Sequence, residues 1–148
     1  MAANKGLDTK KVVKALNDIL ELELAGAVRY TQYSLMVFGH ARIPITGWMS
    51  AQANEALMHA TAAGEEVTAL GGKPSLAIGE LVGSHHESID EIMRELVVHE
   101  RKGIESYTRL LTLVEGKHVS LEEYAREMIR AEELHVAEIE KMLRKRAD

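Results

Sequence analysis

The sequence predicts an all-α fold in which four long helices form a bundle, with one long crossover between helices two and three. The 148 residues include only 2 Pro and 4% aromatic residues, a composition that disfavours a β-sandwich. In four segments, apolar residues recur at alternating spacings of three and four, as in amphipathic helices. Short loops join the first two and the last two segments. The gap between Leu70 and Ser84 is long enough to cross the length of a bundle.

Sequence signals predict where the first two helices begin and end. We expect the first helix to open at Asp8 and to run to about Phe38. The second is expected to run from about Thr46 to Leu70. It stops there because Gly71-Gly72 follows, with a proline two residues later.

Two S-x-x-E capping boxes predict where the second pair of helices begins. The boxes are Ser84-His85-His86-Glu87 and Ser120-Leu121-Glu122-Glu123. We expect the third helix to end at about Glu115 and the fourth near Arg146.

Composition narrows the classes of function. The chain has no Cys, which excludes disulfides, thiolate nucleophiles and thiolate-held iron–sulfur clusters. A formal net charge of −5 argues against nucleic acid as a partner. No apolar run approaches the ~18 residues of a membrane helix, and no signal peptide is recognised. We therefore expect one cytoplasmic domain over residues 1–148, with no membrane partner.

The inward-facing stripe of each predicted helix carries charged or titratable residues near its middle. These residues are Glu23, His59, Glu100, Glu132 and His135. Three carboxylates facing one core repel each other, and an unpaired buried carboxylate is costly. Because the stripes contain no Lys or Arg, a metal is the simplest counter-charge. The alternative is a buried salt-bridge or hydrogen-bond network, with His59 as an ordinary core histidine.

An internal repeat supports the metal interpretation. The pattern E-x-x-G-x-x-x-Y-T begins at Glu23 and again at Glu100, and each copy includes a tyrosine, Tyr30 or Tyr107. We infer two helical hairpins related by a pseudo-two-fold axis, which present the same ligands to one centre. In such bundles two helices each supply one Glu, and the other two each supply a Glu-x-x-His motif.

One expected ligand is missing. Glu132-x-x-His135 is intact, but Ala56 stands three residues before His59. The nearest carboxylate is Glu55, one residue off the stripe. Successive residues of an α-helix are rotated by about 100° around its axis. We therefore expect Glu55 to face away from the centre unless a π-bulge rotates it.

Over nearly its whole length the chain resembles the bacterioferritin branch of the ferritin-like superfamily. The residues that carry the resemblance run from Leu16-Asn17 through Tyr30, from His59-Ala60 to Leu70-Gly71-Gly72-x-Pro74, through Glu100-x-x-Gly103, and over Glu132-Glu133-x-His135. The resemblance implies a ferroxidase, in which two Fe(II) ions react with O2 or H2O2. It also implies that Fe(III) passes to a mineral inside a hollow homo-oligomer.

The resemblance also assigns roles to individual residues. Glu23 and His59 correspond to terminal ligands of one iron, and Glu100 and His135 to those of the other. Glu132 corresponds to the bridge, and the second bridge maps to Ala56. Tyr30 matches a tyrosine beside the site, positioned to hydrogen-bond a ligating carboxylate.

Two further departures from the family concern haem and assembly. The haem-ligating Met maps to Leu57, so no haem is expected. The resemblance also implies a short fifth helix that lines the four-fold axis of a 24-subunit cage, and we expect this helix to be absent. Either a cage forms without it or the assembly is smaller.

The sequence therefore predicts iron storage or detoxification through Fe(II) oxidation, with Glu23, Glu100 and Glu132 as the catalytic carboxylates and a centre impaired by Ala56. A catalytically weak structural or partner subunit is the alternative that Ala56 favours. Another di-metal oxidoreductase on the same bundle is a third interpretation. Glu and His accept Fe, Mn or Zn, so the metal is left open.

Overall fold

The computed structural model describes residues 6–145, and this part of the chain contains four α-helices and no strand. The helices are α1 (Thr9–Ser34), α2 (Arg42–Ala69), α3 (Ile89–Val114) and α4 (Val119–Leu143). The predicted four-helix bundle with one long crossover is confirmed, and no fifth helix occurs among the described residues.

The first two helices differ from prediction at the loop that joins them. α1 ends at Ser34, four residues before the predicted end. α2 begins at Arg42, four residues before the predicted start, and so includes Pro44 in its first turn. Proline is tolerated there because the first N–H groups of a helix have no partner within the helix.

Both predicted capping boxes were wrong by a few residues. α3 is capped by Ser88, whose Oγ accepts a hydrogen bond from the Glu91 N–H. The S-x-x-E pattern thus occurs twice in succession, and the second copy is the cap. α4 is capped by His118, whose Nδ1 accepts from the Leu121 N–H. The predicted end of α4, near Arg146, lies outside the described residues.

Two apolar clusters form the core, and they leave the middle of the bundle between them. One cluster includes Val12, Leu16, Val67, Leu110 and Leu121. The other includes Tyr33, Met49, Met93, Leu96 and Ile139. Within residues 6–145, no helix combines the length and apolarity that a membrane span requires.

The crossover from α2 to α3 is fastened to α1 at three levels. The Asn17 amide donates to the Lys73 carbonyl and accepts from the Ser75 N–H. The Gly79 N–H bonds the Glu21 carbonyl at 3.0 Å. Further along, the Arg29 guanidinium donates to the Glu80 carbonyl at 2.8 Å. These bonds fix the connection between the two hairpins against the face of α1.

Candidate metal centre

The structure brings together all five predicted site residues in the middle of the bundle. Glu23 lies on α1, His59 on α2, Glu100 on α3, and Glu132 and His135 on α4. They form two ligand groups, which are Glu23–His59–Glu132 and Glu100–Glu132–His135. Within each group the donor atoms all lie within 4.8 Å of one another. Glu132 belongs to both groups.

The two groups are arranged nearly symmetrically about Glu132. His59 Nδ1 lies 3.6 Å from Oε1 of Glu132 and 3.5 Å from Oε2 of Glu23. His135 Nδ1 lies 3.7 Å from Oε2 of Glu132 and 3.8 Å from Oε2 of Glu100. Each oxygen of Glu132 thus faces one imidazole, which is the placement of a carboxylate shared by two metals.

The tyrosines of the repeat cross-link its two copies. The Tyr30 hydroxyl donates to Oε1 of Glu100 at 2.5 Å, and the Tyr107 hydroxyl donates to Oε1 of Glu23 at 3.1 Å. Both tyrosines are buried. Each repeat therefore supplies one carboxylate and also the hydroxyl that fixes the other repeat's carboxylate. Tyr30 was expected in this role, and Tyr107 performs the symmetric one.

Burial makes this cluster of carboxylates electrostatically demanding. The exposed fractions of Glu23, Glu100 and Glu132 are 7%, 6% and 2%. In the described part of the chain, no Lys or Arg lines the cavity that these three carboxylates share. An isolated carboxylate in such a place costs several kcal/mol. The counter-charge must therefore come from the two imidazoles or from a bound cation.

In the metal-free protein the imidazoles serve as counter-charges. Burial alone lowers the pKa of His59, but hydrogen bonds to Glu132 and Glu23 raise it to about 10. Burial also acts to lower the pKa of His135, but contacts with Glu100 and Glu132 raise it to about 11. Both histidines are consequently imidazolium ions at neutral pH, and metal binding must displace their protons.

The pKa values of Glu100 on α3 and Glu132 on α4 shift in opposite directions. Burial, together with Glu132, raises the pKa of Glu100 to about 7. Burial also acts to raise the pKa of Glu132, but hydrogen bonds with Glu100, His135 and His59 outweigh it and lower that pKa. Of these two carboxylates, the one shared by both ligand groups, Glu132, is thus held ionised more firmly.

Ala56 lies where the helical register predicts the missing bridge. It is 7% exposed and lines the same cavity as the five site residues. Gln52, Gly26 and His99 also line this cavity, and a Cβ on Gly26 would lie 3.6 Å from the Cβ of Ala56. Among the described residues, the carboxylates that line the cavity are those of Glu23, Glu100 and Glu132.

Glu55 was expected to face away from the centre; it does not line the cavity, but it contacts both histidines of the site. Its Oε1 lies 3.6 Å from Nε2 of His59 and its Oε2 lies 3.3 Å from Nε2 of His135. Its side chain is 38% exposed. Glu55 therefore touches both histidines on the side opposite the cavity.

Comparison with known families decides where the chain belongs. The model of the ferritin-like domain matches residues 13–147. The chain belongs to the ferritin-like domain family. No curated protein matches the sequence.

Two solved structures have the same fold as this ferritin-like domain. A ferritin-like, diiron-carboxylate protein from Bacillus anthracis str. Ames is 21% identical, with a TM-score of 0.85 over 97% of this chain and 100% of that one. A dodecameric thioferritin, the bacterioferritin-related protein from Bacteroides fragilis, is 23% identical, with a TM-score of 0.87 over 94% and 88%.

Sequence reasoning missed one residue of this ferritin-like domain's centre, His99. It is 8% exposed and packs against α1, where a Cβ on Gly26 would lie 2.8 Å from its Nε2. Burial lowers its pKa. His99 lies off the α3 stripe, one residue before Glu100. The glycine of the opposing E-x-x-G motif, Gly26, is the sequence signal that could have indicated close packing at this point.

A second histidine, His86, packs at the end of the crossover. It belongs to the predicted Ser84-His85-His86-Glu87 capping box, but it is half-buried and does not cap α3. It pairs with Glu95 and stacks near Tyr33, at 5.9 Å between ring centroids. Arg29 contacts the same Glu95 carboxylate at 3.5 Å. This network joins the end of the crossover to α1 and α3.

The raised pKa values predict how the stability of the metal-free protein depends on pH. A histidine whose folded pKa exceeds its unfolded value of about 6.5 stabilises the fold fully below that pH. That contribution is lost as pH rises through about 10 for His59 and about 11 for His135. The raised pKa of Glu100 has the same effect. Its contribution to stability is lost as pH rises from the ordinary pKa of a glutamate to about 7.

We therefore expect the urea midpoint of the chelator-treated protein to fall between about pH 7 and pH 9. A double variant, His59→Gln with His135→Gln, should show a much flatter dependence. A wild-type midpoint that stays level or rises over this interval would contradict the charge assignment.

Proposed function

We propose that this ferritin-like domain binds two Fe(II) ions inside its bundle and oxidises them, in iron storage or detoxification of the bacterioferritin type. The observation that carries the proposal is the position of Glu132. Its two oxygens face two imidazoles, and each imidazole also faces a second carboxylate. Two metal positions that share one carboxylate reproduce the donor arrangement of a di-iron carboxylate bundle, except for the second Glu-x-x-His carboxylate, whose place is taken by Ala56.

The donor set fits iron. Carboxylate oxygens and imidazole nitrogens suit Fe(II), as they also suit Mn and Zn. The proposed ligands are Glu23 and His59 for one ion, Glu100 and His135 for the other, and Glu132 for both. The tyrosine hydroxyls on Glu23 and Glu100 hold these carboxylates in orientation. Their hydrogen bonds restrict each carboxylate to the geometry that its ligand role requires.

The chemistry expected at the centre is electron transfer from iron to an oxygen species. Each Fe(II) gives up one electron. Two electrons and two protons convert O2 to H2O2, or H2O2 to two water molecules. Three carboxylates, Glu23, Glu100 and Glu132, stabilise the higher charge of Fe(III) in a site that excludes most water.

The centre lacks one bridging ligand. With Ala56 in place of a carboxylate, Glu132 alone clamps the two ions together. The two-metal mechanism requires a separation of roughly 3.5–4 Å, so loss of one clamp weakens the hold on the second ion. We therefore expect one tight metal site and one weaker metal site.

A titration of metal-free protein with Fe(II) in air tests the proposal. We expect rapid formation of ferric absorbance, with more than one iron bound per subunit. Ala56→Glu, which aims a carboxylate into the cavity, should bring bound iron closer to two and speed oxidation. Ala62→Glu is the matched control, because it adds the same charge at an exposed position of α2.

The opposite result would favour a structural or partner subunit. In that case wild-type protein binds no iron, or oxidises it no faster than buffer does. An Ala56→Glu variant that behaves like Ala62→Glu would separately contradict the role given to the missing bridge.

We also propose a homo-oligomer, located in the cytoplasm. One structural neighbour is described as dodecameric. Large apolar side chains are exposed on the crossover and around α2, including Leu76, Ile78, Leu57 and Met58. Such surfaces are typical of subunit contacts. Sedimentation of the purified protein at its monomer mass of 16.4 kDa would contradict this assembly.

A further inference from the structure

We propose that Glu55 is a positioning residue that holds both histidines of the centre from outside, through hydrogen bonds from their Nε2–H groups. It thereby supplies the fourth negative charge that Ala56 does not. The inference rests on the proposed di-metal centre and assigns a role to a residue outside the ligand set.

The orientation of the imidazoles is the first argument. In both His59 and His135, Nδ1 faces the buried carboxylates and Nε2 faces Glu55. A neutral imidazole has one donor nitrogen and one acceptor nitrogen. If Nε2–H donates to Glu55, the lone pair of Nδ1 is left for the metal. A histidine ligand ordinarily has such an acceptor behind it, which fixes its tautomer and ring orientation.

The single carboxylate of Glu55 lies close to both histidines. Oε2 of Glu55 lies 3.3 Å from Nε2 of His135, and Oε1 lies 3.6 Å from Nε2 of His59. Both distances are slightly longer than an N–H···O hydrogen bond, and each closes with a shift of a few tenths of an ångström. Glu55 is on α2 and His135 is on α4, so one side chain ties together two helices behind the metal positions.

The charge balance is the third argument. Two Fe(II) ions carry four positive charges, whereas Glu23, Glu100 and Glu132 carry three negative ones. One further carboxylate in contact with both ligating imidazoles brings the assembly to neutrality. Glu55 directly precedes Ala56, the position of the missing bridge, and its carboxylate contacts Nε2 of both histidines.

The surroundings of Glu55 support this role over that of a surface carboxylate. Among the described residues, the two imidazoles are the cationic groups within 4.0 Å of it. No Lys or Arg in that part of the chain pairs with it. Glu55 also lies four residues before His59 on the same helix, the spacing at which side chains meet on one face.

The test uses full-length protein loaded with Co(II), a paramagnetic ion that shifts the proton signals of its ligands strongly. In wild-type protein we expect two shifted, slowly exchanging N–H signals, one from each ligating imidazole. Glu55→Ala should remove both signals through rapid exchange with water. It should also weaken Co(II) binding by about tenfold or more.

Glu55→Gln provides a sharper second variant, because it keeps the shape of the side chain. A glutamine has one carbonyl oxygen, so it accepts a hydrogen bond from only one of the two imidazoles. We expect it to preserve one protected signal and lose the other. Glu65→Gln is the control, since it removes the same charge from an exposed position of α2 and should leave both signals intact.

Each contrary outcome has a distinct meaning. Unchanged N–H signals and unchanged Co(II) affinity in Glu55→Ala would overturn the positioning role and leave the di-metal centre standing. If Glu55→Ala changes the visible Co(II) spectrum while both N–H signals persist, Glu55 is a direct ligand and the inference is wrong. Failure of wild-type protein to bind Co(II) would instead contradict the centre itself.

Discussion

Three buried carboxylates in the middle of a helical bundle are the constraint on which the rest of this molecule depends. Glu23, Glu100 and Glu132 are each less than one-tenth exposed. Their mutual repulsion and lost hydration must be offset for the chain to fold at all. The bundle meets this demand with two imidazoles that carry protons in the absence of metal, and with tyrosine hydroxyls that donate to two of the carboxylates.

The residues that offset the buried carboxylates in the metal-free protein are also the proposed metal ligands. Because a histidine must be deprotonated before it ligates a metal, a cation bound at this centre would replace the imidazole protons. The apolar clusters on either side exclude water from the ends of the bundle. The crossover, fastened to α1 through Asn17, Gly79 and Arg29, keeps the two hairpins in register. Glu55 completes the arrangement from outside, where it contacts both histidines.

The sequence was most informative where polar residues interrupted an apolar stripe. The sequence predicted that Glu23, His59, Glu100, Glu132 and His135 lie together, because each breaks a helical pattern at the same depth and because the repeat relates the two halves. Helix starts were less predictable. Two successive S-x-x-E patterns competed for the start of α3, and a histidine rather than a serine caps α4. Contacts between helices, such as His99 with Gly26, depend on packing that periodicity does not encode.

The most direct test of the central claim is an anomalous-scattering experiment on crystals of the protein grown with Fe(II) under anaerobic conditions. We expect two iron peaks within the bundle. One should lie among Glu23, His59 and Glu132, and the other among Glu100, Glu132 and His135. A cavity without iron peaks, in which both imidazoles still contact the carboxylates, would contradict it and leave a buried ion-pair network in its place.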